Sequence, residues 1–519
     1  MNRSIFLFIC SCFVLSLISC STAGREERAE LRSFYLTGSY DLGLDHLEKS
    51  KFYQDNKQKL LKLMEKGMLL HTKGEWDQSS VALDAARSLS NQLYTISLSS
   101  KTEKTLLNDN YDIYYGEVYE RSLLYFYLSL NSILSYQKTK KRDDLFKARA
   151  EVLAWDSFLA SIKEDRLGKS VYKNDLLLKL YGAKIHEIVG TRENRTIAIH
   201  LYKDAEDVLL KNYNSYRSFN SHYKEFKNDF SKLSSLSLDE VKKKYIAETD
   251  LQKNLHGYIA QNIFRLSGNG TMKTNGENKT PITIVLEQGI IAEKVADKSF
   301  YGLDFLAKDP MISLFAADVL GLLPTPNTYN PGGAFLGMAV ANTALRTVGV
   351  GFELPKILNN NPPIDLTIVV SDKKNTEVIK KVIPLVNPLG DIAEEAVYEA
   401  SAWTYARVGF RLAAKHASAI TASFATYRAL GGGKEGNNFF AKNAAVIQYI
   451  GASKIIEESE KADTRYWSTL PNEIRLIDFE LPPGIYHLEL AKNLSDKISL
   501  GDIEVTASEV PLLFDVRKN

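Results

Sequence analysis

The chain has 519 residues, enough for two or three domains that each bury a core. Lys and Arg total 65 against 63 Asp and Glu, a balance that gives nucleic acid or another highly charged polymer nothing to hold. Hydrophobic residues make up 45% of the chain, which excludes a disordered protein, and three cysteines are too few for a disulfide scaffold.

The N-terminus carries Asn2 and Arg3, an apolar run from Ile5 to Ile18, and then Leu17-Ile18-Ser19-Cys20. A basic start, a short apolar core and a small residue at the cut make residues 1–19 a secretory signal peptide. The run is shorter than the roughly 20 apolar residues that span a bilayer. Leu17, Ser19 and Cys20 form a lipobox, so Cys20 is the expected lipidation site and the mature N-terminus. Diacylglyceryl and N-acyl (palmitate) chains together anchor stably where one chain does not. Cys10 and Cys12 leave with the signal, so the mature chain holds no free thiol for catalysis or metal binding. Ser21, in the place where Asp marks inner-membrane retention, directs the expectation to the periplasmic leaflet of a bacterial outer membrane.

Residues 20–30 read as a lipidated tether and 31–264 as a helical domain. Apolar residues recur at three and four positions, as in Leu60-Leu61-Leu63-Met64 and Leu69-Leu70, and no proline occurs before Pro281. Gly74-Glu75-Trp76 followed by Ser79, Leu83 and Ala86 matches the second helix of a tetratricopeptide (TPR) repeat, and Leu63, Gly67 and Leu70 match the first. Gly67 is expected to let the two helices approach closely. Gly38-Ser39-Tyr40, Gly43, Leu47 and Ser50 form an earlier copy, and looser ones run through Ala148 and through Ala198, Tyr202 and Ala205. Lys140-Lys141-Arg142 stands where a glycine turn is expected. The alternative is a set of antiparallel helices without a superhelix.

Residues 265–281, rich in Gly, Asn and Thr, read as a linker. Beyond it, 282–519 reads as a mixed α/β domain with a small antiparallel sheet: β-branched or alternating runs at 282–286, 364–370, 377–383, 474–479, 486–490, 503–505 and 512–516 are the strands. Asp391 opens long Ala-rich helices, broken at Gly431. Residues 311–352 are apolar and Gly-rich, and Asn342 and Arg346 favour a buried or membrane-surface segment over a spanning one. The fold class is therefore a TPR-like α-helical repeat array followed by a mixed α/β domain.

Several stretches carry a resemblance to a known group. They are Leu60-Leu61 to His71, Asn108-Asp109 with Tyr115 to Arg121, Glu287-Gln288-Gly289, Arg407 to Lys415 and, most specifically, Ala462 to Pro471. On these the chain resembles a family of uncharacterised bacterial lipoproteins with TPR-like N-terminal repeats. The resemblance implies envelope work connected with peptidoglycan assembly.

Familiar catalytic motifs are missing. There is no Gly-x-Ser-x-Gly elbow and no His-Glu-x-x-His, and Glu435 after Gly431-Gly432-Gly433-Lys434 stands where a phosphate loop needs Ser or Thr. The eight His are scattered and no two sit at metal-ligand spacing, so no metal, cofactor or catalytic residue is expected. Two segments remain as candidate sites. Tyr115, Glu117, Tyr119 and Glu120 offer aromatic area and polar anchors for a protein partner. Asp463, Arg465 and Trp467 read as an ion pair with a packed Trp that locks the sheet onto the helices, or as a ligand rim. The expected function is a lipid-anchored adaptor or scaffold that binds another envelope protein or peptide. The alternatives are an envelope enzyme with its site in 282–519 and a purely structural lipoprotein.

Overall fold

The computed structural model describes residues 23–99, 113–162, 175–211, 218, 251–267, 279–302, 349–359, 363–431, 438–492 and 496–518. Cys20, the signal segment, residues 268–278 of the expected linker and residues 303–348 lie outside the described residues.

The N-terminal part is helical: α1 (Ala23–Leu36), α2 (Tyr40–Lys49), α3 (Lys51–Gln54), α4 (Lys59–Thr72), α5 (Trp76–Ser99), α6 (Val118–Thr139), α7 (Arg142–Ser161), α8 (Leu176–Val189), α9 (Arg192–Lys211) and α10 (Leu251–Ser267). Neighbours α4 and α5, α6 and α7, and α8 and α9 pack together. A Cβ on Gly67 would lie 2.3 Å from Leu83 Cδ2, so only glycine permits this approach of α4 to α5. The turns at Gly38, Gly74 and Gly190 have positive φ, and Lys140 takes the same left-handed conformation (φ 59) where the sequence lacks a glycine. Helix α6 is buried almost all round from Tyr119 to Leu134. An apolar helix of that kind belongs at the centre of a domain.

The C-terminal part contains β1 (Thr280–Gln288), β2 (Glu293–Gly302), β3 (Gly349–Leu358), β4 (Thr367–Ser371), β5 (Glu377–Val382), β6 (Leu385–Asn387), α11 (Leu389–Ala429), α12 (Asn438–Ser459), β7 (Glu473–Leu481), β8 (Gly484–Ala491), β9 (Lys497–Val505) and β10 (Leu512–Lys518). The small antiparallel sheet of the sequence reading is replaced by two four-stranded sheets, ordered β10-β1-β7-β6 and β5-β4-β8-β9, and a β2–β3 hairpin. Strand β10 pairs parallel to β1, with Val285 opposite Asp515 and Glu287 opposite Arg517. Long-range parallel pairing of this kind leaves no local turn signal. Of the apolar stretch 311–352, only 349–352 is described, as the start of β3.

The first sheet is the middle of three layers. Ile282, Ile284 and Leu286 of β1 and Ile477, Phe479 and Leu481 of β7 pack onto the second sheet. The intervening residues face the helices, because strand side chains alternate. Val285, Ile474, Leu476 and Leu513 join one hydrophobic core with Leu61, Tyr127, Leu180 and the rest of the helical part. The free edge of β10 is covered by Gln137 of α6, whose amide donates to Leu513 O (2.5 Å) and accepts from Leu513 N (2.6 Å).

Candidate functional site

The two segments singled out in the sequence meet at the joint between the helical part and the sheets. Gly116, with φ +73, turns the chain into α6. Glu117 and Glu120 then form a capping box on the first turn, with Glu120 Oε2 accepting from Glu117 N at 2.7 Å. Glu120 is fully buried, and its other oxygen accepts from Trp467 N at 2.7 Å. The Tyr114 hydroxyl donates to Glu120 Oε2 as well. Buried Glu65 of α4 accepts from Ser468 N (2.7 Å), Ser468 Oγ (2.8 Å) and Thr469 Oγ1 (2.6 Å). Residues 464–471 thus lie between helix and sheet with main-chain donors captured by two helix carboxylates.

Asp463 and Arg465 form the expected pair, Nη2 to Oδ2 at 2.7 Å and Nε to Oδ1 at 2.8 Å. The Arg465 guanidinium stacks 5.4 Å over the Tyr114 ring. Trp467 is fully buried, its ring 5.9 Å from that of Tyr127. Tyr119 is buried too, so Tyr119, Glu120, Arg465 and Trp467 contact the chain's own interior. The expectation that Tyr119 and Glu120 meet an external partner therefore fails on accessibility. Tyr115 and Glu117 remain half-exposed.

Tyr115, Glu117 and Asp463 line a cavity of about 350 Å³. Lys294 of β2, Thr404 and Arg411 of α11, and Glu460 complete its walls. Ion pairs stand in its walls and beside them: Lys294 Nζ with Glu117 Oε1 at 2.7 Å, and Glu460 between Arg411 Nη2 (to Oε2, 2.6 Å) and Lys415 Nζ (to Oε1, 2.6 Å). Burial pushes the Glu120 carboxyl up to about 7, with the charge of Glu117 adding to the rise and hydrogen bonds from Tyr114 and Trp467 opposing it. Burial acts to lower the Lys294 ammonium, yet Glu117 and Asp463 hold it above its ordinary value. Burial likewise acts to raise Asp463, and Arg465 keeps it below the usual carboxylate range. The result is a cleft with tyrosine area, fixed ion pairs of both signs and an apolar helix wall, suited to holding a polar chain rather than a single small anion.

Lys294, Arg411, Glu460 and Glu65 were not singled out in the sequence. Arg411 lies within the Arg407–Lys415 stretch that carries the family resemblance. Lys294 and Glu460 sit in ordinary polar surroundings in sequence and give no signal of their own. Comparison of the chain with family models, with curated proteins and with solved structures finds no match. Among the described residues, no helix is long and apolar enough to cross a membrane.

Proposed function

We propose that the protein is a lipid-anchored envelope adaptor or scaffold, held through Cys20 at the periplasmic leaflet of a bacterial outer membrane. It binds another envelope protein or peptide in the cleft beside Tyr115 and Glu117, in connection with cell-envelope or peptidoglycan assembly. The observation that carries this reading is the meeting of two sequence-distant segments, 115–117 and 460–463, in one cavity at the joint of the two halves. Ligand sites favour such joints. The helical part is read as TPR-like, supported by its paired helices, its left-handed turns and the Gly67–Leu83 approach. Part of its surface already holds an irregular segment, the chain's own 464–471, by carboxylate capture of main-chain N–H groups. A partner chain would enter where that segment ends.

The alternative is an envelope enzyme with its site in 282–519. Within the cleft the acids Glu117, Glu460 and Asp463 are ion-paired, which suits recognition better than proton transfer.

The test is co-purification from membranes. Tyr115→Ala and Glu117→Gln, the latter keeping an acceptor for the helix cap, should each weaken partner recovery several-fold while circular dichroism stays unchanged. Full recovery of every partner by both folded variants would remove the cleft as the binding site.

A further inference from the structure

Away from the cleft, the helix-facing side of the first sheet brings together His71 of α4, Glu287 of β1 and Asp515 of β10. One donor atom from each lies within 4.8 Å of the others. His71 Nε2 is 3.1 Å from Asp515 Oδ2 and 4.0 Å from Glu287 Oε1. The side chains are 2%, 14% and 0% exposed for His71, Asp515 and Glu287.

A chain of hydrogen bonds fixes how the imidazole is presented. The Ser79 hydroxyl donates to Gly67 O at 2.7 Å and accepts from Asn131 Nδ2 at 2.9 Å. That sets the Asn131 amide, so its Oδ1 faces His71 Nδ1 at 2.6 Å and must accept from it. Nδ1 therefore carries a proton, and Nε2 is the nitrogen directed at the two carboxylates. Buried partners of this kind hold metal-binding histidines in one tautomer and orientation.

Nε2 meets Asp515 Oδ2 in a hydrogen bond at 3.1 Å, which an ion would replace, and other oxygens nearby are left wanting. Glu287 Oε1, Asp515 Oδ1 and the hydroxyl of Tyr127 are buried without a hydrogen-bond partner among the described residues. Tyr127 is fully buried and its ring meets that of His71 edge-on at 5.1 Å. Arg517 does not fill the gap, because it is committed to the other oxygen of Glu287 (Oε2, 2.5 Å), to Thr469 O (2.8 Å) and to the face of Tyr35 (4.9 Å). A buried oxygen without a partner destabilises the fold, more so when it is charged.

We propose that His71 Nε2, Glu287 Oε1 and the Asp515 carboxylate bind a divalent first-row metal ion. One imidazole and two carboxylates without thiolate suit zinc, or manganese in second place, and disfavour copper(I). Magnesium, which keeps several waters, does not suit so enclosed a pocket. The three ligands come from a helix and two strands that are paired in parallel, so the ion clamps the helical part onto the sheet. Asp515, the one partly exposed ligand, marks the way in. The site shares no lining residue with the cleft and stands or falls independently of the adaptor reading.

The test uses the full chain, stripped with chelator and then titrated with zinc. One zinc per chain by elemental analysis is expected, with a rise in melting temperature, and cobalt(II) in its place should give the visible bands of a low-coordinate site. Asp515→Asn and His71→Gln, each checked for native circular dichroism, should weaken zinc binding at least tenfold and abolish the thermal shift. The proposal is overturned if the folded wild-type chain takes up neither zinc nor manganese stoichiometrically. It is equally overturned if uptake persists undiminished in the folded Asp515→Asn chain. Should His71→Gln fail to fold, Asp515→Asn and the wild-type stoichiometry still decide.

Discussion

On the sandwich side of β1 and β7, Ile282, Ile284, Leu286, Ile477, Phe479 and Leu481 form an apolar cluster with the second sheet. On the opposite side of the same strands and of β10, Thr283, Glu287, Asp478, Asp515 and Arg517 alternate with Val285, Leu476 and Leu513. Both sides are buried, yet one is joined by shape alone and the other by matched charges. The apolar side could slide and still bury its area. The polar side fits the helices in one arrangement, since a shift would strand charges in a dry interior. The comparison suggests that the second sheet supplies stability while the helix-facing side fixes how the two halves of the molecule meet.

The strongest way to break this distinction is at Asp478. Its Oδ2 lies 2.5 Å from Lys184 Nζ, and Lys184 also meets Glu187 (3.1 Å) and Asn262 (2.9 Å). Arg265 pairs with Glu187 too, so two cations balance two anions in a buried network. Asp478→Ala leaves one cation in excess and should cost about 3–5 kcal/mol in urea unfolding at neutral pH. Ile284→Ala on the sandwich side should cost about 2–5 kcal/mol through the cavity it leaves. The two separate in acid. Asp478 and Glu187 have carboxyls held below their ordinary range, by Lys184 and Arg265 against the opposing effect of burial. Their stabilisation is present above the unfolded carboxylate pKa and lost as pH falls through the lower folded values. The cost of Asp478→Ala should therefore shrink at low pH, and that of Ile284→Ala should not. Equal pH dependence in both would erase the contrast.

Glu120 sharpens the comparison with the opposite sign. Its folded pKa is about 7, raised by burial from the ordinary 4.5. Between those values the folded state binds more protons than the unfolded one, so this group makes stability fall as pH rises from 4.5 to 7. At about 1.4 kcal/mol per pKa unit, the span amounts to on the order of 3 kcal/mol. Glu120→Gln stays neutral and keeps an acceptor for Trp467 N. Subtracting its stability curve from that of the wild type should isolate a downward slope over this range. A flat difference would mean that Glu120 titrates in the fold as it does in the unfolded chain, so that burial does not raise it.

What the sequence disclosed follows from the range of each interaction. Helical periodicity, the Gly67 approach and the turn at Gly74 are local, and they were legible. The strands β1, β4, β5, β7, β8, β9 and β10 announced themselves by β-branched or alternating runs. Strands β2 and β3 did not, because Glu293–Gly302 mixes Lys, Asp and Ser into a hairpin whose pairing depends on a distant segment. Tyr115 and Glu117 could be named as candidates, and so could Asp463, but not their meeting, which needs the sheet order. The His71, Glu287 and Asp515 cluster was hidden for the same reason: metal-ligand spacing in sequence detects ligands on one element, and these sit on three. Lys140 shows a subtler loss, since the backbone there accepts a left-handed turn that the residue does not advertise.

The smallest effect is expected where charges pair in water. Glu489 of β8 and Lys497 of β9 meet diagonally across the second sheet, Nζ to Oε2 at 2.9 Å, with 26% and 41% of their side chains exposed. The geometry is as good as that of Lys184 with Asp478, and the chemistry is the same. The difference is solvent. Water screens the exposed pair and solvates each member when the other is removed, so neither is stranded. A double-mutant cycle with Glu489→Ala and Lys497→Ala should return a coupling of about 0.2–1 kcal/mol that declines with added salt. The corresponding cycle on Asp478 and Lys184 should return several times more and resist salt. If the exposed pair couples as strongly as the buried one, distance alone sets the energy of these bridges, and the burial of the helix-facing side would no longer explain why its charges are matched.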